Sequence, residues 1–227
     1  MQAGHVTSST RDRITTIEFF HPAHNSMPGT LLADLSAAIT EAGEASDSAV
    51  ILLKSAGDRT FCAGASFDEL ASIEDLGQGK HFFMGFANVI NACRLCPKLI
   101  VGRVQGKAVG GGVGIAAAVD YCMATRYASI KLSELALGIG PFVVGPAVER
   151  KIGNAAFSQL AINATEWQTA AWAKERGLFA EVFDSTEQLD AYITEFINRL
   201  SGTSLAAMTE LKRVLWAGTE HWGTLLE

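Results

Sequence analysis

Two short, uninterrupted apolar runs constrain the fold most: residues 49–54 (AVILLK) and 99–104 (LIVGRV). Runs of this length without polar alternation mark strands covered on both faces, which calls for a largely parallel sheet overlaid by helices. The flanking patterns agree. Residues 13–20 (RITTIEFF) are β-branched and aromatic and stop at His21-Pro22, a strand ended by a proline. From Pro28 onward Leu31, Leu32, Leu35 and Ile39 share one helical face, and the acidic, glycine-containing stretch 41–48 ends it. A short helical start is expected over 67–73, and Gly77 to Gly79 is expected to break the chain. Phe82, Phe83, Phe86, Val89 and Ile90 recur at helical spacing over 81–96, halted by Pro97. A glycine-rich turn (106–114), a helix opening at 115–119 and two short strands (121–125 and 129–132) follow. Beyond Gly140-Pro141 the patterns are helical over 146–152, 155–162, 167–176, 187–200 and 204–216, so the last third should be mostly α.

A chain of 227 residues, 48% apolar, can bury one good core, or a core plus a small helical element. The longest uncharged apolar stretch, 108–119, is too short to cross a bilayer and is diluted by glycine, so no membrane partner is expected. The opening MQAGHVTSST lacks a charged segment before an apolar one and does not read as a secretory signal, so a cytoplasmic location is expected. In that setting the four cysteines are reduced thiols: Cys62 and Cys122 sit in apolar runs, and the pair Cys93–Cys96 lacks the further ligands of a metal site. A net charge of −6 without a basic stripe excludes a nucleic-acid footprint. Neither a nucleophile elbow nor a P-loop is present, and His5, His21, His24, His81 and His221 show no ligand pairing, which disfavours a triad hydrolase and a nucleotidase. Trp167, Trp172, Trp216 and Trp222 lie in the helical tail and read as packing or interface residues. The chain stops at Leu225-Leu226-Glu227 in a helical pattern without a C-cap signal, so a continuation is expected.

Two loops carry the chemistry: FCAGAS (61–66) and GGGVG (110–114), each expected between an apolar strand and a helix. Small residues let the backbone approach a ligand closely, and the free N–H groups at a helix start favour developing negative charge. Two such donors aimed at one carbonyl oxygen would form an oxyanion hole, each worth roughly 3–4 kcal/mol to an enolate. Either loop alone is better explained as a tight turn packed against its neighbours.

With SELALGIGP (133–141) the pair becomes specific. The order FCAGASFDEL, GKAVGGGVGIA, SELALGIGP, with His21-Pro22 and Asn25-Ser26-Met27 before the first helix and Arg150-Lys151-Ile152-Gly153 after the proline, resembles the crotonase (enoyl-CoA hydratase/isomerase) family. The resemblance is dense to about Gly153 and looser beyond. It implies an α/β fold, a spiral of ββα turns over residues 1–153, and a helical C-terminal part over 154–227 used in assembling a homotrimer or a dimer of trimers. It implies an acyl-CoA thioester as substrate, with no permanently bound cofactor and coenzyme A arriving as part of that substrate. The N–H groups of Ala65 and Gly111 would hold the thioester oxygen. Ala63, Ser66 and Phe67 would line the path of the ligand, with Gly110, Ser133, Pro141 and Phe142 beside the substrate and His24 and Ser26 near its nucleotide end.

The carboxylates depart from the pattern. Family hydratases carry one Glu two residues after the triple glycine and a second in the Glu-x-x-Leu-Gly segment; here Gly114 stands at the first position and Glu134 at the second. Without a side chain at 114, general acid–base help to a water, worth ~10²–10⁴ in rate, is missing. A single carboxylate suffices to move a proton between the α and γ carbons of an enoyl thioester, and single-glutamate isomerases of the family resemble this chain. Leu135, Leu137, Ile139 and Phe142 are expected to surround Glu134 with apolar groups and raise its pKa. The favoured reading is therefore an enoyl-CoA isomerase. A hydratase or other crotonase-type lyase is the alternative, and a catalytically weak acyl-CoA binding protein is a second one. Phe82, Phe83, Phe86 and the stretch 77–80 are expected to wall the acyl pocket.

Overall fold

The computed structural model describes residues 4–226. In chain order it runs β1 (His5–Arg11), β2 (Ile14–Phe20), β3 (Ser26–Met27), α1 (Gly29–Glu44), β4 (Val50–Ser55), β5 (Thr60–Cys62), β6 (Gly64–Ala65), α2 (Phe67–Ala71) and α3 (Leu76–Leu95). Next come β7 (Leu99–Val104), β8 (Lys107–Val109), α4 (Gly111–Ala118), β9 (Tyr121–Thr125), β10 (Ser129–Lys131) and a 3-10 turn over Leu135–Leu137. The remainder is α5 (Gly145–Ile162), β11 (Gln168–Thr169), α6 (Ala170–Glu175), β12 (Glu181–Phe183), α7 (Thr186–Ser201), α8 (Leu205–Leu215) and α9 (Trp222–Leu225).

The main sheet has the order β1-β2-β4-β7-β9-β12, parallel except for the β1–β2 hairpin. The apolar runs that call for two-sided burial receive it. Ile51, Leu53 and Ile100 face the large core that holds Leu32, Leu35, Val89 and Ile90 of α1 and α3. Val50, Val101 and Met123 face Leu189, Ile193 and Ile197 of α7 on the other side. A smaller sheet, β11-β10-β8-β5, and the two-stranded pair β3-β6 stand apart from it. Among the described residues no helix is long and apolar enough to cross a membrane.

Four local expectations change. The strand β1 was not anticipated: its residues are almost all exposed and polar, so no apolar alternation announces it. Its pairing is set by the turn, because the register Arg11↔Ile14 leaves Asp12-Arg13 as a two-residue loop with φ of 52° and 65°, the left-handed geometry that matches strand twist. Gly77 and Gly79 do not break the chain but lie in the first turn of α3, where the Asp75 carboxylate accepts the Gln78 N–H at 2.8 Å. That cap and the buried Phe82–Phe86–Val89–Ile90 face outweigh a glycine penalty of ~1 kcal/mol each. The glycine-rich turn is shorter than expected, since β8 occupies 107–109 and α4 begins at Gly111. The expected helices 146–152 and 155–162 are two segments of α5 joined at Gly153, whose φ of 78° and ψ of 158° interrupt the helix.

The region after residue 153 packs on the sheet. β12 extends it alongside β9, and α8 is fixed through Asp120, which follows α4. One oxygen of that carboxylate accepts the Ile100 N–H at 2.7 Å and pairs with Lys212 Nζ at 2.9 Å; the other accepts from Trp216 Nε1 at 2.7 Å. Lys212 Nζ also donates to the Lys98 carbonyl at 2.8 Å. Both side chains of the ion pair are 3–4% exposed, so removing one charge strands the other in a poorly solvated place. Asp120→Asn should therefore lower the unfolding free energy by about 3–5 kcal/mol, read as a shifted midpoint in urea denaturation.

Candidate active site

Three backbone segments converge on one cavity. β6 pairs with β3 in the register Ser26↔Gly64 and Met27↔Ala65, which holds the first glycine loop against the start of α1. Gly64, at φ +89°, lies so close to the second loop that a Cβ built on it would meet the Val109 carbonyl oxygen at 2.8 Å and the Gly111 nitrogen at 3.7 Å. Gly110, at φ +51°, donates its N–H to the Lys131 carbonyl at 2.9 Å, which ties the second loop to the end of β10 and so to Ser133-Glu134. A Cβ on Gly110 would lie 2.9 Å from Glu134 Oε1, so the carboxylate occupies the room that the missing side chain leaves. Gly111 is the first residue of α4, whose eight residues are all buried; its N–H has no partner within the helix and sits at the positive end of the helix dipole.

The cavity measures ≈ 780 Å³. Of the residues expected beside the substrate, Ala63, Ala65, Phe67, Gly110, Gly111, Ser133, Glu134, Pro141 and Phe142 line it. His24, Ser26 and Ser66 are not among its lining. His24 is exposed with φ 55°, Ser26 is buried with Oγ 3.1 Å from His21 Nδ1, and Ser66 caps α2 by accepting the Glu69 N–H. Phe83 and Phe86 wall the cavity, whereas Phe82 and the stretch 77–80 do not; Phe82 packs edge-on against Phe83.

Glu134 opens the 3-10 turn that ends in the left-handed Gly138, and its carbonyl accepts the Leu137 and Ile139 N–H groups at 3.0 and 3.1 Å. Its Oε2 is buried without a hydrogen-bond partner among the described residues. Burial pushes the carboxyl above the usual glutamate range, opposed only by a backbone hydrogen bond at its own position. Leu135, Leu137, Ile139 and Phe142 all share the cavity with it, as expected from the sequence. An unpartnered carboxylate in an apolar pocket is a strong base once ionised and can return the proton it takes.

Two structural residues escaped the sequence reading in their site roles. The Phe86 ring lies against Gly111, where an added Cβ would come within 2.0 Å of it; its helical periodicity marked it only as a core or pocket-wall residue. Val144 fills the space beside Gly114, with Cγ1 at 2.5 Å from a Cβ built there. No side-chain carboxylate exists at 114, and the adjoining volume is hydrocarbon. Nothing in the local sequence announces that contact, because the two residues belong to different elements.

The α/β core, with two glycine loops and a buried carboxylate lining one cavity, fits the crotonase class of proteins. The sequence profile of the enoyl-CoA hydratase/isomerase family matches residues 9–224, and the chain belongs to that family, whose members act on acyl-CoA. The peroxisomal Delta(3,5)-Delta(2,4)-dienoyl-CoA isomerase of Arabidopsis thaliana is 28% identical over 215 residues, covering 88% of this chain and 76% of its own. The short-chain-enoyl-CoA hydratase of Clostridium acetobutylicum is 25% identical over 222 residues, covering 97% and 84%. The crystal structure of an enoyl-CoA hydratase from Bacillus halodurans shares the fold, with a TM-score of 0.89 at 21% identity over 97% of this chain and 90% of that one.

The raised pKa of Glu134 has a sign that stability measurements can read. A carboxyl harder to ionise in the folded than in the unfolded chain leaves the fold most stable when protonated, and stability falls as pH rises through its folded pKa. Glu134→Gln should stabilise the protein above that pKa and match the wild type below the ordinary glutamate range, as followed by thermal melts across pH.

Proposed function

We propose that the chain is an enoyl-CoA isomerase that shifts a β,γ double bond into conjugation with the thioester. The observation that carries this reading is the lone buried carboxylate oxygen, Glu134 Oε2, in an apolar cavity shared with Ala65 and Gly111. Ionised Glu134 takes the proton from the α carbon, and the C–H electron pair delocalises over the α carbon, the thioester carbonyl and the former double bond. The N–H groups of Ala65 and Gly111 hold the oxygen of the resulting dienolate. Glu134 then returns the same proton to the γ carbon, which leaves the double bond between α and β. No separate cofactor enters these steps, and coenzyme A arrives as part of the substrate. Assembly as a homotrimer or a dimer of trimers belongs to the same proposal.

Hydration needs a second group to orient and deprotonate water, and at position 114 the neighbouring volume is filled by Val144. This favours isomerisation over the hydratase reaction of the Clostridium relative.

A β,γ-enoyl-CoA should gain conjugation absorbance with the enzyme, with kcat/KM rising with pH through the raised pKa of Glu134, because the base acts when ionised. Glu134→Gln should lower kcat by about 10²–10⁴-fold. Rapid conversion of an α,β-enoyl-CoA to hydroxyacyl-CoA would replace this reading with a hydratase, and acyl-CoA binding without turnover of either substrate would leave a binding protein.

A further inference from the structure

Helix α1 begins without a cap of its own. Its N-cap, Pro28, makes no side-chain hydrogen bond, and its first turn carries no acidic residue. The missing partner comes from α2: Glu69 Oε2 accepts the Gly29 N–H at 2.8 Å. One half-buried carboxylate thus satisfies a free N–H and places negative charge at the positive end of a 16-residue helix. The bond extends the strap that begins with the β3–β6 pairing. On either side of Ala65, the Ala63 N–H donates to the His24 carbonyl and the Ser66 N–H to the Met27 carbonyl, both at 3.2 Å. Beyond them α2 has five residues, none buried, and a helix that short does not hold itself. Its N-cap Ser66 accepts the Glu69 N–H, so Glu69 links the residue next to Ala65 to the start of α1. Glu69 itself does not line the cavity.

We propose that Glu69 is a positioning residue: by anchoring α2 to the start of α1 it sets the aim of the Ala65 N–H at the thioester oxygen. The inference rests on the reading of Ala65 and Gly111 as the oxyanion donors and of Glu134 as the base. The other ties of the strap are main-chain bonds, and the Glu69–Gly29 bond is the one that a side-chain substitution removes. An anchor of this kind acts where the oxygen carries its full charge, so it affects the transition state more than the bound substrate.

Glu69→Ala should lower kcat for a β,γ-enoyl-CoA by about 10–100-fold with KM little changed, the cost of a slightly displaced donor. Glu69→Gln keeps an acceptor oxygen and should recover kcat to within about fivefold of the wild type, the remainder reflecting an uncharged bond. Gly29→Pro removes the donor from the other end. Proline is favoured at a first helical position, and Pro28 already has the extended backbone (φ −65°, ψ 157°) that a following proline needs. This variant should match Glu69→Ala, and the double variant should lose no more than either alone, because each breaks the same bond. Should Glu69→Ala fail to fold, Gly29→Pro carries the same comparison. Infrared difference spectra of bound butanoyl-CoA, isotopically labelled at the thioester carbonyl, read the donor's aim without turnover. The carbonyl band, lowered on binding to the wild type, should move back toward its free value in Glu69→Ala and stay low in Glu69→Gln. A Glu69→Ala protein that melts earlier but keeps kcat and the low carbonyl band overturns the assignment and leaves Glu69 a stability residue. If the wild type fails to conjugate a β,γ-enoyl-CoA, the isomerase reading falls and the carbonyl band alone decides: its return toward the free value in Glu69→Ala supports the anchor, and an unchanged band overturns it.

Discussion

The close approach of two backbones, Gly64 against Val109 and Gly111, is the constraint on which the site depends. No L side chain fits at Gly64, because its φ is positive and the Val109 carbonyl stands where a Cβ would be. That contact seats the β6 strand, and with it Ala65, beside the first turn of α4. The second loop is fixed in turn by the Gly110 N–H bond to Lys131, which draws the chain after β10 across the mouth of the cavity. Loop, helix end and carboxylate are thus placed by main-chain geometry, and the side chains at these positions are small because the backbone needs their space.

Around that frame Glu134 is the one ionisable side chain among the described residues that line the cavity. Glu134 lies among hydrocarbon, and its buried Oε2 finds no donor among the described residues, so ionisation is penalised. Val144 closes the volume beside Gly114. The buried Asp120–Lys212–Trp216 cluster does comparable work at a distance by holding α8 to the sheet.

Much of this was legible in the sequence because the informative residues act locally. The runs 49–54 and 99–104 announce strands buried on both faces, and their burial in β4 and β7 follows from that pattern alone. The two glycine loops and SELALGIGP, in that order, point to the family and bring Ala65, Gly111 and Glu134 to one cavity. What stayed hidden depends on contacts between distant residues. β1 has a polar, exposed sequence and exists through its turn and its partner β2; α3 starts at Leu76 because of a cap and a buried face that outweigh two glycines. Val144 against Gly114 and Phe86 against Gly111 are packing relations without a sequence signature.

The most direct measurement follows an isotope label through the reaction. A β,γ-enoyl-CoA deuterated at the α carbon, converted in ordinary water, should yield α,β-enoyl-CoA with part of the deuterium at the γ carbon. A single carboxylate that takes and returns the same hydron before exchange with solvent produces that transfer. Complete loss of the label to solvent together with formation of hydroxyacyl-CoA would contradict a one-carboxylate shuttle at Glu134.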